Sequence, residues 1–385
     1  MTGAAPIAAL GSGRTWSNVD PAAHFAADYP GARAKFRTAA ARIGLDVESH
    51  VHPSRTGPSG EELAIDLVVL GEPLASHALL ITSATHGVEG FCGSGCQAGL
   101  LADAAFVASV RASGVAVLLL HALNPHGFAH LARTTEENAD LNRNFRDLRT
   151  AVPNADYRAL HAFLVPDSWP PTRDNEAQLM AHAARHGIAA MQQAITSGQS
   201  EYADGLFFTG ERPAWSQTVL RDVFQRHLRS RERLGWIDLH TGLGPAGHGE
   251  KIFAGPDNAA MLGRVKSWWG HDVTSIHDGS STSAKVAGSL FNAAIEECPA
   301  SEYTGIALEF GTLPFMDVLN ALRARQWLAN HPAATPDQSQ AILRQIRDAF
   351  YVDTPAWKAM VYAQTRVAAW QALGALGARA TRAMR

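Results

Sequence analysis

Cysteine is scarce in this chain: Cys92, Cys96 and Cys298 are the three in 385 residues. They cannot build a disulfide framework, and a reducing, cytoplasmic compartment is the simpler expectation. No stretch reaches the ~18 consecutive apolar residues that would suggest a membrane span. The opening MTGAAPIAALGSGRTW (1–16) has neither the basic start nor the continuous apolar segment of a secretory signal. Charge of one sign is lacking too. Lys and Arg number 33 against 36 Asp and Glu, a net charge of −3, which gives no electrostatic reason to expect nucleic acid or an anionic membrane as partner. Internal repeats, charge blocks and low-complexity linkers are absent, and so is the Gly-x-Ser-x-Gly elbow of a serine hydrolase. Oligomeric state is left open.

What is present is an ordinary globular composition, 46% hydrophobic and 18% charged, with enough length for one large α/β domain or two smaller ones. Four short apolar runs read as strands buried on both faces: HALLITSA (77–84), VAVLLLHAL (115–123), RLGWIDLH (233–240) and YTGIALEF (303–310). Helical spacing lies between and after them. SQTVLRDVFQRHL aligns Val219, Leu220, Val223, Phe224 and Leu228, with Ser216 as the expected N-cap, and DQSQAILRQIRDAF aligns Ile342, Leu343, Ile346 and Phe350. VPDSWPPTRDN (165–175) reads as a surface loop. Strands alternating with helices predict a largely parallel or mixed sheet covered on both faces. In such sheets ligands bind outside the carboxyl ends of strands, and His86, Asn124, His240 and Glu309 all fall at or just beyond such ends.

SATHGVEGFCGSG (83–95) places His86 and Glu89 three apart in a glycine-rich loop. Two ligands this close chelate a cation cheaply, and a third from a distant strand would complete the His₂Glu set of a catalytic zinc site. GWIDLHTGLG (235–244) offers that third ligand in His240, with Asp238 on the same strand face and able to orient a ligating imidazole. Taken singly, each reads equally as a solvated loop pair or a core-edge histidine. NPHGFAHLARTTEENADLNRNFRD (124–147) carries Arg133, Asp140, Asn142, Arg143 and Arg146 in a polar segment. A guanidinium fork beside an amide suits a substrate carboxylate, although pairing of these arginines with Glu136, Glu137 or Asp147 would account for them as well. His126 and His130, four apart, lack a third ligand. Glu309 sits among Ile306, Ala307, Leu308 and Phe310, where burial would raise its pKa toward the range useful for proton transfer; a structural salt bridge to an arginine is the other reading.

Together HGVEG (86–90), NPHGF…R…DLNRNF (124–145), DLHTGLG (238–244) and LEFGT (308–312) resemble the zinc carboxypeptidase superfamily. The likeness is nearest to its aspartoacylase and succinylglutamate desuccinylase branch, and to an uncharacterised bacterial group defined only as a domain of unknown function, which YADGLFFTGERPAWS (202–216) also resembles. The resemblance spans roughly residues 75 to 315. It implies a three-layer α/β/α sandwich with a mixed, mostly parallel central sheet. It also implies one domain over 1–385, with an insertion at about 146–232 and a helical extension from about 331. Residue by residue, it implies that His86, Glu89 and His240 hold Zn2+ and that Arg133 steadies a developing oxyanion. Asn142 and Arg143 would grip a substrate carboxylate, and Glu309 would be the general base and acid. Such enzymes carry a mobile tyrosine, for which Tyr202 and Tyr303 are candidates without a matching motif.

The expected activity is zinc-dependent hydrolysis of an amide beside a free carboxylate, in a short peptide or an N-acyl amino acid. Two other readings stand beside it. One is a zinc- or carboxylate-binding protein without catalysis on the same scaffold; the other is a cysteine or serine hydrolase, with Cys92 or Cys96 near His86 as thiol.

Overall fold

The computed structural model describes residues 20–383. The stretch 1–16 lies outside the described residues. Among those described, the strands are β1 (Glu48–Thr56), β2 (Glu62–Gly71), β3 (His77–Ser83), β4 (Ala116–His121), β5 (Arg233–Ala246), β6 (Gly249–Phe253), β7 (Thr274–Ser275) and β8 (Glu302–Gly311). They form one mixed sheet in the order β1-β2-β4-β3-β5-β8-β6-β7. The central β4, β3, β5 and β8 are mutually parallel, while β1 and β2 on one flank and β6 on the other run antiparallel to their inner neighbours. The four parallel strands are the four apolar runs of the sequence.

Alternation along these strands feeds two cores. Leu79, Ile81, Val117, Leu119, Ile237, Leu239, Ile306 and Leu308 face one side, under helices that include Tyr29–Arg42, Gly90–Ala102, Ala259–Trp269 and Pro355–Ala383. Ala78, Leu80, Leu118, Leu120, Leu234 and Trp236 face the other, under helices Trp215–Val223 and Asn292–Glu297. The result is three layers. The long C-terminal helix packs on the sheet, burying Trp357, Val361, Ala369 and Leu373, and its Ala368 carbonyl accepts from Trp269 Nε1–H at 3.0 Å.

A third core joins helices Ala155–Leu164, Arg173–His186 and Ile188–Thr196 to helices Phe315–Asn330 and Pro336–Phe350, together with Val88 and Phe207. The proline-rich stretch is a loop up to Thr172, whose hydroxyl accepts from Asn175 N–H and caps the next helix.

Ser216 is not an N-cap. The helix begins at Trp215 after Ala214, whose N–H donates to Asn144 Oδ1 at 2.9 Å, so a tertiary bond sets the start ahead of the serine. No single described helix is long and apolar enough to cross a membrane.

From β3 the chain moves to β4 on one side, whereas β5 and β8 lie on the other. The strand order therefore reverses at β3/β5, and a crevice opens at their carboxyl ends.

Candidate metal centre

β3 ends at Ser83, and Ala84 takes a left-handed φ of 57° that turns the chain toward His86. One helical turn, Gly87–Glu89, then leads into the buried helix Gly90–Ala102. That turn is pressed against the loop after β4: Gly87 and Val88 N–H donate to the carbonyls of Arg133 (3.2 Å) and Ala132 (2.9 Å). A Cβ on Gly87 would lie 2.0 Å from the Gly127 carbonyl carbon, so this approach needs glycine. His240 arrives from β5, two residues beyond Asp238 and in register with Glu309 on β8.

The three predicted ligands converge. One ligand atom from each of His86, Glu89 and His240 falls within 4.8 Å of the others, and all three side chains are buried. His86 Nδ1 lies 2.8 Å from Glu89 Oε1, and His240 Nδ1 lies 3.1 Å from Glu89 Oε2. Each ring turns its other nitrogen to a buried carboxylate: His240 Nε2 contacts Asp238, and His86 Nε2 lies 3.2 Å from Asp140 Oδ1. Asp238 is fixed in turn by the hydroxyls of Thr82 (2.5 Å) and Thr85 (2.9 Å). Were a cation held through the two Nδ1 atoms, His240 would carry its proton on Nε2 beside Asp238, whereas His86 Nε2 faces both Asp140 and the Arg133 guanidinium. Two imidazoles, one carboxylate and an outer acid for each imidazole are a donor set that fits zinc.

The charges interlock. Burial would push Glu89 up, but His86 and His240 hold its carboxyl well below the usual range. Burial would lower His240, yet Asp238 and Glu89 raise it well above an ordinary imidazole. Asp140 is also held well below the carboxylate range, against its burial, by Arg133 and Arg143.

Arg133 Nε donates to Asp140 Oδ2 at 2.9 Å, and its terminal nitrogens reach Glu89 Oε1 (3.2 Å) and His86 Nε2 (2.7 Å). Arg133 therefore pairs with neither Glu136 nor Glu137. Arg143 is buried; its Nε donates to the Thr196 carbonyl at 2.9 Å, and burial pulls its pKa down to about 10. Asn142 Oδ1 accepts from Leu290 N–H at 3.0 Å, which leaves the amide donors without a partner among the described residues. Glu309 Oε1 accepts from Leu243 N–H at 3.0 Å, and no ion pair reaches Glu309 among the described residues. Burial, reinforced by Glu89, raises its pKa to about 7. These four residues line one cavity with the three ligands.

Not every strand-end residue belongs to the site. Asn124 caps the helix Pro125–Ala129, its Oδ1 accepting from Gly127 N–H at 2.8 Å. His126 and His130 stack on each other with centroids 4.3 Å apart, and neither lines the cavity. Neither Tyr202 nor Tyr303 lines it: Tyr202 stacks on His161, and Tyr303 is buried near Trp236 at the far end of β8. The three cysteines are buried and none lines the cavity, and burial raises the Cys92 thiol well above its ordinary value, all of which disfavours a thiol nucleophile.

Two contributors were not assigned these roles from sequence. Asp140 supports His86 and both arginines; its spacing two residues before Asn142 was the available signal. Phe207 lies on the cavity wall with both guanidiniums over its ring, and no periodicity marks it.

A family model described as "Protein of unknown function (DUF2817)" matches residues 25–364. A comparison with curated proteins finds no match. Among solved structures the chain is similar to carboxypeptidase A from Helicoverpa armigera, at 14% identity over 84% of this chain and 73% of that one, TM-score 0.44. An aspartoacylase family protein from Mesorhizobium loti shows 15% identity over 74% of this chain and 66% of that one, TM-score 0.38. A succinylglutamate desuccinylase from a Silicibacter species shows 15% identity over the same shares, TM-score 0.37.

Proposed function

The chain belongs to the DUF2817 family of unknown function, and we propose that it is a zinc-dependent hydrolase of an amide bond beside a free carboxylate. The observation that carries this reading is the convergence of His86, Glu89 and His240 in a cavity that Glu309, Arg133, Asn142 and Arg143 also line. A zinc ion held by the first three would supply Lewis acidity toward the carbonyl and acidify a water toward neutrality.

The chain's own groups do the rest. Glu309, which forms no ion pair among the described residues, accepts the proton of the attacking water and returns it to the leaving amine. Arg133 lines the cavity and supplies positive charge where negative charge develops on the carbonyl oxygen. Arg143 and the unpaired amide donors of Asn142 hold the substrate carboxylate and so set the scissile bond. The rest of the wall is uncharged, with Ile252, Ile276 and Phe291 beside the hydroxyls of Thr196, Ser283 and Ser289, so the side chain beside the amide is expected to be neutral. A peptide's C-terminal residue and an N-acyl amino acid both meet these requirements.

The decisive experiment is metal analysis of the purified chain with a turnover screen of N-acyl amino acids and short peptides, with and without chelator. One bound zinc and chelator-sensitive turnover are expected. A metal-free chain with chelator-resistant turnover would end the proposal.

A further inference from the structure

Phe207 adopts a left-handed φ of 53°, a conformation that is costly for a bulky aromatic and persists where surroundings enforce it. The enforcement is visible. Gln199 N–H donates to the Phe207 carbonyl at 3.2 Å, Thr209 N–H to the Gln199 carbonyl at 2.9 Å, and Asp140 N–H to the Phe208 carbonyl at 2.8 Å. The segment is thus tied at once to the insertion and to the acid that supports His86. The ring so placed is buried, and both functional guanidiniums lie on it: Arg133 Cζ is 4.9 Å and Arg143 Cζ 5.5 Å from its centroid. The same two cations share Asp140, at 2.9 Å and 3.8 Å. The two like charges repel each other; a shared carboxylate and a shared aromatic ring offset that repulsion. Phe207 also lines the adjoining cavity formed by His126, Thr135, Glu136 and Arg325, so its ring is part of the partition between the two spaces.

We propose that Phe207 is a positioning residue whose ring sets the spacing of Arg133 and Arg143 and closes the substrate cavity behind them. This rests on the reading above that Arg143 binds the substrate carboxylate, but its test does not require turnover. Binding of 3-phenylpropanoate, which has no amide to cleave, and of its carboxamide to the zinc-loaded chain is measured by calorimetry for wild type, Phe207→Leu, Phe207→Tyr and Phe207→Gly. Leucine keeps most of the volume without the π face, tyrosine keeps the face, and glycine accepts the backbone conformation without a ring. Zinc content and Tm are recorded for each.

Wild type should prefer the carboxylate. Phe207→Leu should weaken carboxylate binding by about tenfold, as the loss of cation–π attraction predicts, while the carboxamide shifts less than about twofold. Phe207→Tyr should restore the preference, and Phe207→Gly should lose it with zinc retained. The proposal is overturned if Phe207→Leu binds the carboxylate as wild type does, if both ligands weaken equally, or if Phe207→Tyr fails to rescue. If Phe207→Gly does not fold, the Leu and Tyr variants decide alone. Chelator-sensitive turnover of the wild type reports separately on the hydrolase reading.

Discussion

Glu309 is buried near Glu89, and among the described residues its carboxylate accepts one hydrogen bond, from the Leu243 N–H. Glu309→Gln should keep zinc and lose about two to four orders of magnitude in kcat, seen by metal analysis with steady-state kinetics. The same residue makes the metal-free chain sensitive to pH. Its pKa rises from 4.5 to about 7 on folding, so within that window the folded chain keeps a proton the unfolded chain has released. Stability contributed by this group therefore falls as pH rises from about 4.5 to about 7, by roughly 3 kcal/mol in total. Glu309→Gln should remove that fall, and denaturant midpoints for both proteins at either end of the window test it. Asp238 and Asp140 act through the imidazoles they contact. Asp238→Asn or Asp140→Asn should weaken zinc affinity by about 10- to 100-fold with the fold intact, measured by competition with a chromogenic chelator.

At the level of elements, a strand end and a one-turn helix do the placing. The Gly87–Glu89 turn is held by two backbone bonds to the loop after β4, and Gly87 touches that loop through bare backbone. Gly87→Ala would drive a Cβ into Gly127 and should cost roughly 2–3 kcal/mol or more while displacing both His86 and Glu89. A lowered Tm together with reduced zinc stoichiometry is the expected pair of results; an unchanged stoichiometry would show that the turn does not set the ligands. The four central strands were legible because burial on both faces demands continuous apolar runs. The flanking β1, β2, β6 and β7 were not read: β1 is largely exposed and β7 has only two residues, so neither shows a clear pattern. Ser216 misled for a related reason, since the bond from Ala214 to Asn144 outranks a local capping preference.

For the whole molecule, the C-terminal helix is part of the main core. Deleting Pro355 onward would remove Trp357, Val361, Leu373 and Leu376 from the main core and expose the apolar sheet face they cover. At about 1.5–3 kcal/mol per large apolar side chain, that loss approaches the whole stability of an ordinary domain. The truncated chain should aggregate, as size-exclusion chromatography would show; a soluble folded product would contradict this packing. The sequence by itself determined the parallel strands, the residues at their carboxyl ends and the types of donor available there, because hydrophobic period and side-chain chemistry are local properties. Only the tertiary structure decided which of those residues meet. It brought His86, Glu89 and His240 together, set Asp140 and Asp238 beside the two imidazoles, sent Asn124 to a helix cap and seated Phe207 against two arginines. Each of those outcomes depends on strand order and on backbone contacts between segments far apart in the chain, which no local pattern encodes.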